Sequence, residues 1–425
     1  MLAAVRPLRR WSALLTALVV LCGTLLGASP TWASSVDSGA VFNNPLGTKE
    51  ARMRILRTIE AAIDGTCPGG CAVPGQETIL VSTYLMDRGP TASKLIAAHN
   101  RGVNVQIVMD SAITAPASDR LVEALGPADK NGDHRVNAAD IDPLTGQHSF
   151  AIKCKDSCRG GWGSNHDKFY AFTHTGDTSN VVMVSSANLN YGGALAGWND
   201  LYAITERPDV YDLYRRVHGE MAEDDPPDLD GKPIERFYIE ESPGGDFIHR
   251  FFPRKRAGRD LDPTYQQLDK IRCKGATDGA GAGGRTVVKI AMFWWSGARG
   301  VYLADKVIGL DRAGCDVQVN YGAPSNEVSR MLRASAHSGG VKLWDSRQRK
   351  VDGKPTLRVH HKYMIVSGRY GDDTSDWRVM AGTQNWIEGA LTGSDENTLE
   401  IPLRSAYASY SSEFESLKRY SRRIR

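Results

Sequence analysis

A short pattern occurs twice in this chain, and the repeat limits what the chain can fold into. Residues Arg358-Val359-His360-His361-Lys362-Tyr363-Met364-Ile365-Val366 are followed by Ala381-Gly382-Thr383-Gln384-Asn385-Trp386. Upstream, Asn165-His166-Asp167-Lys168-Phe169-Tyr170-Ala171-Phe172 is followed by Val181-Val182-Met183-Val184-Ser185-Ser186-Ala187-Asn188. Each copy reads as a strand, a turn and a returning strand, with turns at 176–179 and 371–375. Side chains alternate faces along a strand. His166 is therefore expected beside Lys168, and Ser186 beside Asn188; His360 pairs likewise with Lys362, and Thr383 with Asn385. Imidazole, ammonium, hydroxyl and amide on one patch suit a phosphate. Lysine supplies a point charge, asparagine a fixed donor, and histidine can attack or carry a proton. One His-x-Lys says little; two, each with its own Ser/Thr-x-Asn strand, predict two similar halves.

The surrounding elements repeat as well. In the first half a helix is expected over 50–63, a strand over 78–84, a helix over 91–100 and a strand over 103–109. In the second, the same order falls at 265–271, 286–293, 301–311 and 316–321. The helix-to-strand joints align, Arg101-Gly102-Val103 against Ala313-Gly314-Cys315. Strand, helix and strand with a glycine joint predict βαβ units in mixed sheets. The expected class is α/β, with halves at 34–232 and 233–425 joined through a helix near 208–223 and the acidic, proline-bearing stretch 224–232. About 390 residues after a leader exceed the usual limit for one core, which agrees with that division.

The first 33 residues read as a secretory signal peptide. Arg6, Arg9 and Arg10 precede an apolar run over 13–28, and Thr31-Trp32-Ala33 offers a small-residue cleavage site. The run is shorter than the roughly 20 residues a membrane span needs. The formal charge of +3 resides in that leader, since 49 basic residues face 49 acidic ones in the remainder. A broad nucleic-acid surface usually shows as net positive charge. Six cysteines remain, an even number suited to an oxidising compartment. Their spacing pairs Cys67 with Cys71, Cys154 with Cys158, and Cys273 with Cys315.

Gly102 to His166 is 18 residues longer than Gly314 to His360, and the surplus falls on 129–140. There Asp129, Asn131, Asp133 and Asp140 occupy positions 1, 3, 5 and 12 of a calcium-type loop, with the Arg135 carbonyl at position 7. The segment resembles EF-hand and dockerin loops, with His134 in place of the usual glycine and Asp140 in place of glutamate. A structural Ca2+ is the expectation. The glycine-rich run 275–284 lacks a following Gly-Lys-Ser/Thr and reads as a flexible loop. The basic end, 418–425, reads as a solvated helix terminus.

The paired motifs resemble the phospholipase D superfamily, whose signature is His-x-Lys, four residues, Asp, then Gly-Ser-x-Asn. This chain departs from it in one consistent way: Thr173 and Ser367 stand at the aspartate positions. The resemblance implies two phospholipase D-like α-β-α sandwich halves related by a pseudo-twofold axis, with the site between them. It also implies catalysis through a phosphohistidine, with His166 as nucleophile and His360 as acid, though symmetry permits the reverse. Lys168, Lys362, Asn188 and Asn385 would hold the phosphate oxygens without a metal cofactor. Ser186, Thr383 and Trp386 are expected at the substrate. Glu396 is expected to fix one histidine tautomer and Asp200 the other. Trp162, Trp294 and Trp295 suit an apolar entrance or core packing equally. The leading expectation is a secreted monomer that hydrolyses phospholipid head-group phosphodiesters at a transiently met membrane surface. A metal-independent nuclease and a decayed lipid- or phosphate-binding protein are the alternatives.

Overall fold

The computed structural model describes residues 35–425 except 113, 225–235 and 348–356. The leader at 1–33 and nearly all of the acidic connection lie outside the described residues.

Local chemistry accounts for the elements. In the helix Lys49–Gly65, the Thr48 side chain accepts the Ala51 N–H, satisfying one of the free donors of the first turn. Met53, Leu56, Ile59 and Ile63 follow at three- and four-residue spacing and are buried. Each contributes about 1.5–3 kcal/mol by leaving water. The strand Thr78–Thr83 follows and pairs in parallel with Asn104–Asp110 through the helix Gly89–Asn100. The second half repeats this: Val287–Trp295 pairs in parallel with Asp316–Pro324 through the helix Gly297–Arg312. Gly102 (φ +93°) and Gly314 (φ +100°) both take the left-handed conformation at the aligned joints, which side chains resist.

Among the described residues two large mixed sheets form. The first has seven strands, with Lys168–Thr175 and Thr178–Ser185 as its central hairpin. The second has ten, with Lys362–Tyr370 and Asp373–Gly382 in the same place. Each sheet buries its outer face in its own apolar cluster. Their inner faces share one cluster that includes Phe169, Tyr214, Tyr363 and Phe414. The helices Pro208–Ala222 and Arg404–Tyr420 supply much of it. The second helix also reaches the first sheet, where Tyr410 meets Phe42 edge to face at 5.0 Å. No helix among the described residues is long and apolar enough to cross a membrane.

The backbone crosses between the halves at two equivalent places. Arg358–Val359 pairs in parallel with Gly197–Trp198. Asn165 bridges in parallel to Asp395. Each motif histidine follows one of these crossings directly.

Three expectations change. Lys168 and Lys362 open their strands, so His166 and His360 lie just before them, in the crossing segments rather than in the hairpins. The 418–425 terminus is not a solvated helix end: the helix stops at Tyr420, and Arg422–Ile424 adds an edge strand that buries Ile424. The glycine-rich run 275–284 is pinned, with Thr277 N–H donating to the Thr374 carbonyl and Gly281 N–H to Ser367 Oγ. At the two aspartate positions the hairpin hydroxyls accept backbone N–H groups. Thr173 Oγ1 accepts the Thr78 N–H at 2.8 Å, and Ser367 accepts the Gly281 N–H at 2.8 Å.

Candidate active site

The crossings bring the two motifs together. Lys168 and Lys362 both lie within electrostatic reach of both His166 and His360. Both ammonium groups are buried, and each donates to the carbonyl of its own motif histidine. Burial pushes Lys168 down to about 8, against the pull of Glu396, Asp167 and Asp110. Burial and the Lys168 charge hold Lys362 well below the usual lysine range. Burial and the two lysines likewise keep both imidazoles well below their ordinary value. The free site therefore disfavours further positive charge. An anionic phosphodiester reverses that balance.

The imidazoles are oriented differently. His166 Nδ1 donates to Glu396 Oε2 at 2.9 Å, and Thr383 Oγ1 donates to the same oxygen. Burial pushes Glu396 up to about 7, opposed by Lys168. His360 Nδ1 donates to the Asn199 amide oxygen at 2.7 Å. Asn199 Nδ2 donates to the Gly197 carbonyl at 3.0 Å, which fixes which end of the amide faces His360. Both rings thus carry the proton on Nδ1 and keep Nε2 for the site. Each orienting group comes from the opposite half of the chain.

Asp200 does not orient His360, contrary to expectation. It binds the neighbouring His361, Oδ1 to Nδ1 at 2.7 Å, and also accepts from Ser186 and Tyr410. The register explains the difference. Asp395 is opposite Asn165, so Glu396 falls behind His166; Trp198 is opposite Val359, so Asn199 falls behind His360. Asn199 adjoins the residue that sequence reasoning chose, and the pairing register was the missing signal.

Ser186 and Thr383 are fully buried and hold Asp200 and Glu396 rather than facing substrate. Trp386 is core, 4.4 Å edge to face from the buried Trp295. Trp162 and Trp294 are about half exposed, at 45% and 46%. Trp294 lies beside Asn385, whose Oδ1 accepts its N–H at 3.2 Å. The Asn188 amide oxygen is buried without a partner. Three further neighbours gave no sequence signal. Tyr84 lies 5.3 Å from the His166 ring, Phe293 4.5 Å from His360, and the exposed Arg358 guanidinium 5.0 Å over Phe293.

The loop 129–140 closes on itself. Asp129 accepts the Gly132 and His134 N–H groups, Asn131 that of Asp133, and Asp133 that of Arg135. Asp140 accepts three, from Lys130, Asn131 and Asn137. Asp140, the expected position-12 ligand, is also buried, whereas Asn131 and Asp133 are exposed.

The family model described as "Cardiolipin synthase, PLD-like domain" matches residues 74–221 and 284–418, more than half of the chain. No curated protein matches the chain by sequence. Among solved structures, phosphatidylserine synthase from Haemophilus influenzae Rd KW20 is 13% identical, with 91% of this chain and 87% of that one covered and a TM-score of 0.50. Polyphosphate kinase from Porphyromonas gingivalis is 10% identical over 90% of this chain, with a TM-score of 0.49; the match spans 50% of that chain. The Nuc protein from Salmonella typhimurium, a phospholipase D family member, is 14% identical, with 42% of this chain and 97% of that one covered and a TM-score of 0.30. At 13% identity the likeness to the synthase is one of fold. With two His-x-Lys motifs meeting across paired sheets and a family match in each half, the chain belongs to the phospholipase D superfamily, whose members act on phosphodiester bonds.

Proposed function

We propose that this chain is an exported phospholipase D-type phosphodiesterase that hydrolyses phospholipid head-group phosphodiesters through a phosphohistidine on His166. The observation that carries the reading is the His166–Glu396 pair set against His360 and two buried lysines. The His166 Nε2 lone pair attacks phosphorus while the bond to the head-group oxygen breaks. His360 gives its proton to that oxygen. Water then attacks phosphorus, passing its proton to His360, and the N–P bond breaks to release phosphatidic acid. An alcohol in place of water gives transphosphatidylation. Lys168 and Lys362, with Asn188 and Asn385, hold the non-bridging oxygens as negative charge develops.

The unequal partners favour this assignment over its reverse. A carboxylate behind His166 strengthens Nε2 as a nucleophile and stabilises the positive phosphoimidazole. An amide behind His360 does less to hold a proton there, which suits a group that must release it. Balanced charge outside the leader favours a lipid over nucleic acid. The half-exposed Trp162 and Trp294 suit brief contact with a bilayer interface. The leader pattern and three disulfides, Cys67–Cys71, Cys154–Cys158 and Cys273–Cys315, support export. A monomer suffices, because both motifs lie in one chain.

The test is parallel assay of the purified protein on phosphatidylcholine vesicles and on single- and double-stranded DNA, each with chelator. Choline release with formation of phosphatidic acid is expected to exceed DNA cleavage. Dominant DNA cleavage would identify a nuclease, and vesicle binding without turnover a decayed site.

A further inference from the structure

The segment leading into the first motif is built more tightly than a connection requires. The Cys154–Cys158 bridge closes a five-residue ring at the end of the strand Phe150–Cys154, with both cysteines buried. The ring faces Asp395, which belongs to the other half and is 1% exposed. Ser157 Oγ donates to Asp395 Oδ2 at 2.8 Å and Cys158 N–H to the same oxygen at 2.6 Å. Arg159 Nε lies 3.5 Å from Oδ1. The Arg159 guanidinium also reaches Glu220 at 2.9 Å and the Phe252 carbonyl at 2.7 Å, across both halves.

The following residues fit against 393–395 with no room for a side chain. A Cβ on Gly160 would lie 2.7 Å from the Gly393 carbonyl oxygen. One on Gly163 would lie 2.6 Å from Gly393, and one on Gly393 would enter the Trp162 ring at 2.7 Å. The Asp395 backbone then closes the crossing: its N–H donates to Ser164 and its carbonyl accepts the His166 N–H, each at 3.0 Å. The next residue, Glu396, holds the His166 ring. One aspartate therefore ties the disulfide ring to both the backbone of His166 and its orienting carboxylate.

We propose that the Cys154–Cys158 ring and Asp395 form a positioning device for the His166–Glu396 pair, and that turnover requires this disulfide to be closed. The proposal rests on the reading of His166 as nucleophile. A buried carboxylate needs its hydrogen-bond donors to stay in place. The closed ring holds two of them at a fixed separation; an open ring lets the Ser157–Cys158 peptide leave. The charged groups around Asp395 are Arg159, Asp167 and Glu396, with Glu220 behind Arg159. The other two disulfides lie elsewhere: Cys67–Cys71 follows the first helix, and Cys273–Cys315 sits in the outer cluster of the second half.

The experiment compares Cys154→Ser/Cys158→Ser, Ser157→Ala, Asp395→Asn and the control Cys67→Ser/Cys71→Ser in the full mature chain. kcat and KM are measured on bis(4-nitrophenyl) phosphate, and the His166 ring is titrated by NMR of labelled histidine. The first three should lose about 10- to 100-fold in kcat, as groups supporting a reactive ligand commonly do, with KM within about threefold. They should also move the His166 titration further than that of His360. The control should keep kcat within about twofold. Unchanged kcat and His166 titration in the folded Cys154→Ser/Cys158→Ser protein overturn the proposal, and so does an equal loss in both disulfide variants. If that protein does not fold, Ser157→Ala and Asp395→Asn decide by the same two measurements. If the wild type cleaves no phosphodiester, the functional reading fails, while the His166 titration still decides whether the ring positions it.

Discussion

Replacing His166 with asparagine removes the nucleophile and should lower kcat by four or more orders of magnitude, beyond the roughly 10²–10⁴ of general acid–base help. His360→Asn should be milder on a nitrophenyl phosphodiester, whose leaving group needs little protonation, and phosphate should accumulate on His166 as an acid-labile, alkali-stable label. Equal rates for both variants and the wild type would remove the histidines from the chemistry. Asn199→Asp gives a second test. A carboxylate behind Nδ1 favours the imidazolium, so His360 keeps its proton to higher pH and the alkaline limb of the kcat profile should move upward. The limbs belong to the coupled pair, so the observable is the displacement of the limb. The motif histidines and lysines were legible in the sequence because they recur at fixed spacing, and Glu396 through the family resemblance. Asn199 was not, because a one-residue register across two parallel bridges decides which side chain meets the ring. Ser186 and Thr383 recur just as regularly, yet face away from the expected substrate to hold the carboxylates. Repetition marked them as important without revealing which neighbour they serve.

At the scale of elements, the doubled strand–helix–strand order was legible from periodicity and the two glycine joints. The terminal strand Arg422–Ile424 was not, since its lone buried isoleucine gives no period to read. The loop 129–140 yields a prediction at this scale. Asp140 accepts three backbone N–H groups, so Asp140→Ala should cost about 1–3 kcal/mol of stability with or without calcium. We propose weak calcium binding through Asp129, Asn131 and Asp133. Calcium at millimolar concentration should then raise the melting temperature by a few degrees, an effect abolished by Asp129→Ala/Asp133→Ala. Chelator should leave choline release intact. An unchanged melting temperature would leave the loop as an internally capped turn.

At the scale of the molecule, the site holds charge that the fold would not choose for stability. Glu396 titrates near 7 when buried, against an ordinary value of 4.5. Its folded pKa is the raised one, so the folded state keeps a proton that the unfolded state has lost. Stability from this group is therefore full below about pH 4.5 and lost as pH rises to 7, up to on the order of 3 kcal/mol. Glu396→Gln should consequently raise the melting temperature at pH 8, change it little at pH 4.5, and reduce activity at both. A lower melting temperature at pH 8 would mean that the carboxylate is held at no cost.

The crossed partners have a consequence for inheritance. His166 meets Glu396 across 230 positions of sequence, and His360 meets Asn199 across 161. Neither half carries a self-sufficient unit of selection. A lesion behind one histidine is written in the coding sequence of the other half, and its compensating change must arise there too. Suppressors of a weak Asn199 allele should map to the neighbourhood of codons 358–362, in the other half, and exchange of one half between diverged homologues should fail unless both crossings travel together.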